Sequence, residues 1–392
     1  MRTQNSGVPR SPCRRRNGVA LLATLVALFL ISILIVAVLR VATIDARAAR
    51  DAATMLGAAN AAESGAYAVM RDWAGRDHES LRVGDILGPD TLQNPLARSL
   101  TRTMRISSTT FWTVSEGEAG DSVARTLARR ATNVAFRLAI PDVLIAAALT
   151  VRDSLTLAGG ARVVGIDTTT PAANAFCSHM ASPAGVAVAM PDTSRLCDGT
   201  CGSGSVSGRA LGVPPLLRDS ASADSARYLR FGAEQWSTLT THAAVILAPS
   251  SVITAAPALT PSGCDRTRND NWGDPSGAGP CGSYAPLIWA RGDIELRGGA
   301  GQGVLLADGD VTLSAGATFA GVVITRDDLR SAGIGGTILG AVLAADERVS
   351  AGDHSRLDGA TLVQRSHCAV VLALERSARL LPVRGRAWAP LR

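Results

Sequence analysis

The side chains able to do chemistry in this 392-residue sequence fall into three groups. Six cysteines, Cys177, Cys197, Cys201, Cys264, Cys281 and Cys368, follow a long apolar run, and Cys13 precedes it. An even set beyond the run suits disulfides in an oxidising compartment, and the spacing does not choose among the pairings. A zinc site needs two close pairs, whereas only Cys197 and Cys201 are close and no histidine stands at ligand spacing from them. The second group is acidic: Asp308, Asp310, Asp327, Asp328, Asp346, Glu347 and Asp353 recur near one corner of a repeat. Clustered carboxylates on a β-helix can cleave polysaccharides, but Arg326, Arg330 and Arg348 accompany these, which favours solvated turns. Third, His78, His179, His242, His354 and His367 are scattered, with no HExxH and no G-x-S-x-G motif. "RGD" at 291–293 is an adhesion tripeptide in other contexts, but three residues recur by chance and Gly-Asp is a normal corner, and "NDNWGD" at 269–274 offers oxygens to calcium without the spacing of a known loop. The expectation is a protein without a catalytic, cofactor or metal set.

The elements that position these residues begin with the apolar run. Residues 19–39 carry no charge and follow Arg14, Arg15 and Arg16. As helix this stretch reaches roughly 31 Å, enough to cross a bilayer core, and it exceeds the apolar region of a cleaved export signal. The small-x-small pair Ala46 and Ala48 leaves conventional cleavage as an alternative. The arginines place the N-terminus in the cytoplasm and the remainder across the membrane. They also account for the charge: the chain is formally +6, and removing the five arginines before residue 18 leaves +1. A specific nucleic-acid surface is therefore not expected.

No proline occurs between Pro12 and Pro89, and good helix formers continue past the apolar run, so helix is predicted over 19–73. Beyond Ile44 its apolar residues thin to a stripe of Ile44, Ala48, Ala52, Met55, Ala59, Ala62, Ala66, Val69 and Trp73.

"RRRNGVALLATLVALFLISILIVAVL" followed by "AANAAESGAYAVM" resembles the N-terminal domain of PilX-type pilus assembly proteins, minor pilins of type IV pilus systems. The resemblance extends from the N-terminus to about Gly75. It implies cleavage by prepilin peptidase after Gly18, with Val19 as the new N-terminus. Major pilins carry glutamate at the fifth mature position, where this sequence has Ala23. Losing that carboxylate eases residence in lipid and removes one filament contact, which points to an accessory subunit. Ala20, Ala23, Ala27 and Ser32 are small enough to let neighbouring helices approach.

Beyond the helix the texture turns to strand. "TRTMRISSTTFWTVSE" and "NVAFRLAI" alternate, which predicts a small sheet packed on the helix. Further on, Gly303, Gly321, Gly340 and Gly359 recur at a nearly constant spacing, each opening an apolar triplet. Short strands with Gly and Asp corners at a fixed period predict a stacked β-solenoid, with Val304, Leu306, Val322, Ile324, Val342 and Leu343 as candidate core.

The expected fold is α+β: a long pilin-like transmembrane helix, then a mostly β body with a β-solenoid C-terminal region. The expected units are a leader (1–18), the helical domain (19–75, membrane span 19–39) and a small α/β region packed on the helix (76–145). Solenoid follows at 146–165 and 286–378, interrupted by a disulfide-rich insertion (166–285), with a tail at 379–392. The expected function is a non-enzymatic minor pilin-like component of a type IV pilus or related type II secretion machine. Its partners would be the inner membrane, other pilin-like subunits and prepilin peptidase, and its body would be extracytoplasmic. The alternatives are a membrane-tethered scaffold or adhesin outside any filament and, behind it, a carbohydrate-active β-helix.

Overall fold

A computed structural model describes residues 17–73, 81–122, 125–168, 185–199, 208–261, 263–348, 354–383 and 388–391. A single long helix leads into a body made mostly of sheet, an α+β arrangement.

Helix α1, Asn17–Arg71, is unbroken for 55 residues, roughly 80 Å. Its two ends have different surroundings. From Ala20 to Ala53 every residue is exposed, whereas Ala58, Ala61, Ala62, Ala66, Val69 and Trp73 are buried. The predicted stripe is thus covered only in the last third of the helix; Ile44 and Met55 remain exposed.

That last third lies on an antiparallel sheet of β1 (Ile86–Gln93), β2 (Ala97–Arg105), β3 (Thr110–Ser122) and β4 (Arg125–Ala139). Small residues set the approach. A Cβ on Gly117 would stand 2.0 Å from the Ala58 carbonyl oxygen, and one on Gly65 would stand 2.5 Å from the Ser99 and Ser115 hydroxyl oxygens. Under the helix the sheet presents hydroxyls rather than long aliphatics. Thr101 bonds Ser115 and Thr103 bonds Thr113, both at 2.9 Å, so these polar atoms are satisfied across the strands. Lower down, Trp73 meets Phe111 edge to face at 4.7 Å and closes a core with Val69 and Leu138.

The second sheet has 17 strands, every pair parallel, and it is curled so that three ladders run side by side. Going along one ladder, Val245–Leu247 is followed by Leu287–Ala290, 304–307, 322–325, 341–344, Ala147–Val151, Val186–Met190 and Leu216–Arg218. The order is not the chain order. The turn formed by 147–164 stacks on the last turn, 341–365, through Val342↔Leu149 and Ser355↔Leu155.

Two expected boundaries change as a result. Strands Val186–Met190, Leu216–Arg218, Val245–Leu247 and Ser251–Ala255 all belong to the curled sheet, so 166–285 is not wholly an insertion. Nor is 379–392 a tail, because Arg379–Pro382 and Trp388–Leu391 both pair antiparallel with β4. The cause is the same in both cases. The first and last turns are neighbours, so the chain leaves the curled sheet beside the point where it came in.

Gly303, Gly321 and Gly340 mark the bend between two ladders, with φ of 125°, 137° and 146°. They stack on one another: a Cβ on Gly340 would lie 1.8 Å from the Gly321 carbonyl oxygen. Gly359 is not the fourth member, because Gly340 pairs with Arg365 and Gly359 sits at another corner beside the Gly333 carbonyl.

The residues after each bend are buried on both faces. Leu305, Val323 and Val342 point into the curl. Val304, Leu306, Val322, Ile324 and Leu343, predicted for the interior, pack outward. There they meet Val370, Ala373 and Leu374 of the helix His367–Arg376, whose N-cap Ser366 accepts a bond from Ala369 N–H. At one end of the interior, Trp272 is fully buried and packs edge to face on Phe319 at 6.1 Å.

Replacing Gly117 by alanine is expected to lift α1 from the sheet and cost about 1–3 kcal/mol in urea unfolding. Gly208→Ala, where no atom stands within 4 Å, should change stability by less than about 0.5 kcal/mol.

Candidate functional site

The first candidate is the uncovered part of α1. Gly18 and Val19 lie in its first turn. At about 100° per residue Ala20, Ala23 and Ala27 share one face, and Ser32 lies roughly 120–180° away from them. The structure therefore gathers the three alanines and not the serine. Ser32 donates to the Leu28 carbonyl at 2.7 Å and Thr24 to the Leu21 carbonyl at 2.8 Å. Bonded within the helix, these hydroxyls leave no donor facing an apolar medium. Leu21, Leu25, Phe29, Ile33 and Val36 are each more than half exposed, and α1 is long and apolar enough to cross a membrane. Exposure continues past the predicted span to Ala53, and Met55 and Leu56 are exposed as well.

The cysteines form no metal site among the described residues. Cys264 and Cys281 are joined in a disulfide, and Cys197 and Cys368 are also disulfide-bonded. Cys177 and Cys201 lie outside the described residues, as do His78, His179 and Asp353.

The disulfide loop also holds "NDNWGD". Its Asn271 is fully buried and donates to the Ala258 and Asp265 carbonyls, and its Oδ1 accepts from Gly273 N–H at 3.1 Å. That amide ties the loop together rather than facing a cation. In "RGD", Arg291 stacks 5.0 Å from the Trp289 ring centroid and Asp293 pairs with Arg348 at 2.6 Å. Both charges are engaged. The described histidines sit apart: His242 bonds the Thr238 carbonyl, His354 bonds Thr156, and the His367 backbone N–H donates to Asp167.

The second candidate is the acidic corner. Ile294, Val311 and Leu329 are in register, so the residues before them, Asp293, Asp310 and Asp328, stack in a column. Each carboxylate caps the next turn: Asp310 N–H donates to Asp293 Oδ1 at 3.0 Å and Asp328 N–H to Asp310 Oδ1 at 3.2 Å. Arg330 bridges Asp310 at 2.9 Å and Asp328 at 3.0 Å, and Arg348 reaches Asp327 at 2.7 Å. On the far side of the same corner Asp308 accepts from Trp236 at 3.0 Å and Trp289 at 2.9 Å, and Arg326 pairs with Glu347 at 2.6 Å. The expected solvated turn is therefore wrong for Asp327, Asp328 and Asp346, which are 3%, 1% and 6% exposed.

Burial and crowding shift these groups. Asp328 is pushed up to about 7, first by burial and then by the neighbouring Asp346 charge. Asp346 is raised to about 6 by burial and by its hydrogen bond with Asp153. Asp327 is raised as well, by burial and by Asp310. The sequence signal was the recurring Gly-Asp and Asp-Asp pairs; Asp153, far earlier in the chain, gave none.

No family model matches this chain, and no curated protein matches it. Among solved structures, one that aligns is described as "competence-associated pilin ComZ from Thermus thermophilus". It is 12% identical, with a TM-score of 0.24, over 86% of this chain and 97% of that one. A likeness at that score carries no argument about this chain.

The shifts set a pH dependence. Asp328 has a folded pKa of about 7 and an unfolded one near about 3.9, so the folded state binds more protons between them. Stability falls as pH rises from about 4 to about 7. In chelator-containing buffer, Asp328→Asn should therefore exceed the parent protein at pH 8, by on the order of 2 kcal/mol, and match it near pH 4. Urea unfolding at the two pH values measures the gap.

Proposed function

We propose that the protein is a minor pilin-like structural and assembly component of a type IV pilus or a related type II secretion machine. The observation that carries this reading is the division of α1: one continuous helix whose first two thirds are exposed and whose last third is docked on an antiparallel sheet. Such a helix can sit in a bilayer as a monomer and later pack against like helices without refolding the body it carries. Three alanines on one face permit close approach where no hydrophobic driving force distinguishes helix from lipid.

In this reading the N-terminus is cytoplasmic, α1 is the inner-membrane anchor, and the body is extracytoplasmic, a place that suits its disulfides. Prepilin peptidase cuts after Gly18 and frees Val19. The similarity of the segment up to Gly75 to PilX-type N-termini supports this, and Ala23 in place of glutamate favours an accessory or tip position over the bulk of a fibre. The curled parallel sheet is read as a β-solenoid that offers an initiation or adhesion surface, with no catalytic role.

Co-expression with prepilin peptidase, followed by N-terminal sequencing and gel mobility, tests the proposal. A mature chain starting at Val19 is expected, and Gly18→Val should block its appearance. An intact residue 1 in the presence of active peptidase would overturn the pilin reading in favour of a membrane-tethered scaffold.

A further inference from the structure

We propose that the free edge of the curled sheet, made by Val245–Leu247 and Ser251–Ala255, is a homodimer interface at which two copies of this chain pair strand against strand about a two-fold axis. Val245–Leu247 is bonded to Leu287–Ala290, and Ser251–Ala255 to the start of Ile294–Ala307, each on one side alone. Among the described residues no strand takes the other side. Such an edge presents a row of backbone donors and acceptors, and what satisfies them most fully is another strand edge.

The side chains on this edge fit that use. Between Glu234 and Asp265 the chain has no acidic residue and no arginine, although 18% of its residues are charged. Ile246 is 41% exposed, Val252 49% and Leu259 62%, and Ala244, Ala248, Thr254 and Ala256 are exposed among them. Sheet edges that must stay single carry charges, prolines or a covering segment. Neither short strand holds a charge or a proline, and Pro249 and Pro257 lie outside both.

The opposite end of the stack is built differently. Its last strands include Ala210–Leu211 and Leu216–Arg218, each paired on one side alone. Pro214 and Pro215 run directly into the second of them and lack backbone donors, and their carbonyls are already taken by Ala187 and Val188 N–H. Arg218 is turned onto the Pro191 and Ser194 carbonyls. Charged pairs sit on the same end, Arg209 with Asp198 at 2.9 Å and Arg227 with Asp219 at 2.6 Å. Prolines and charges blunt that end, so it does not accept the bare edge in a head-to-tail stack.

Charge selects the occupant. In a two-fold interface each residue near the axis faces its own copy or a close neighbour of it, so a charge there is repelled by its copy. A segment without acids or arginines meets that requirement. A partner of another kind imposes no such requirement, since unlike partners steer and hold each other by opposite charges. The two-fold axis also sets the two edges antiparallel, the more stable ladder, and closes the assembly at two copies. Pairing covers Ile246, Val252 and Leu259, exposed apolar side chains that belong neither to the interior of the curl nor to its roof. It uses none of α1 and does not depend on a cut after Gly18.

The test uses the full chain in detergent near neutral pH, its mass measured by sedimentation equilibrium across micromolar concentrations. A reversible dimer is expected. Ile246→Arg and Val252→Arg each bring like charges together across the axis at an exposed position, and each should weaken dimerisation by roughly tenfold or more while the urea midpoint stays unchanged. Val213→Arg, at a residue 67% exposed on the opposite end, should leave the dimer intact. A parent chain that is monomeric at every concentration overturns the proposal. A dimer that neither edge variant weakens also overturns it, because another surface, α1 included, then holds the copies together. Species larger than the dimer that Val213→Arg removes mean head-to-tail stacking and overturn the two-fold arrangement. If one edge variant fails to fold, the other tests the same edge through a different exposed side chain.

Discussion

The pairing of Val342, Leu343 and Ala344 with Leu149, Thr150 and Val151 is the contact on which the rest of the body depends. It joins segments far apart in the chain and makes one stack out of two runs of turns. Without it, the 147–164 turn would present an unpaired parallel edge, the situation that invites association with other chains. Because of it, the segment coming from β4 and the helix His367–Arg376 leave the curled sheet at the same level. The C-terminal strand Arg379–Pro382 can then reach β4, and Arg379 pairs with Glu234 at 2.8 Å on the way.

This closure also explains why the strands after the glycine bends are apolar on both faces. The inner face fills the curl, and the outer face is roofed by His367–Arg376 together with Tyr228, Phe231 and Leu239. Parallel strands covered on both sides need such runs. The roof is made by the segments that cross from one end of the stack to the other and back to β4. The connections that reorder the turns therefore supply the hydrophobic cover those turns require.

The helix and the body obey opposite demands. α1 must be apolar where it is exposed and small where it is docked, so alanine and glycine dominate its last third and leucine, isoleucine and valine its first. Docking through Gly65 on α1 and Gly117 on β3 holds the helix by close approach, helix backbone against strand backbone at Gly117. A helix so fixed is held in one position relative to the sheet.

Much of α1 was legible beforehand, since its helicity and apolarity follow from local residue types and the absence of proline, and local properties are what a linear pattern records. Gly303, Gly321 and Gly340 were legible for a similar reason: a positive φ and a carbonyl 1.8–2.2 Å from any Cβ admit little but glycine. Gly359 shared their spacing but not their place: more residues separate Ala344 from Ser355 than separate the matching strands of the turns before, and Gly340 pairs with Arg365. The acidic residues on the corner were visible as a repeat, but their burial and the partnership with Asp153 were not. What the sequence determined alone was the helix, its membrane-length apolar face and the bends. The order of the turns, the direction of Val304 and Leu306, the pairing of the last strands and the closeness of the carboxylates belonged to tertiary structure. Parallel pairing is non-local, and a strand apolar on both faces carries no signal of which face turns inward.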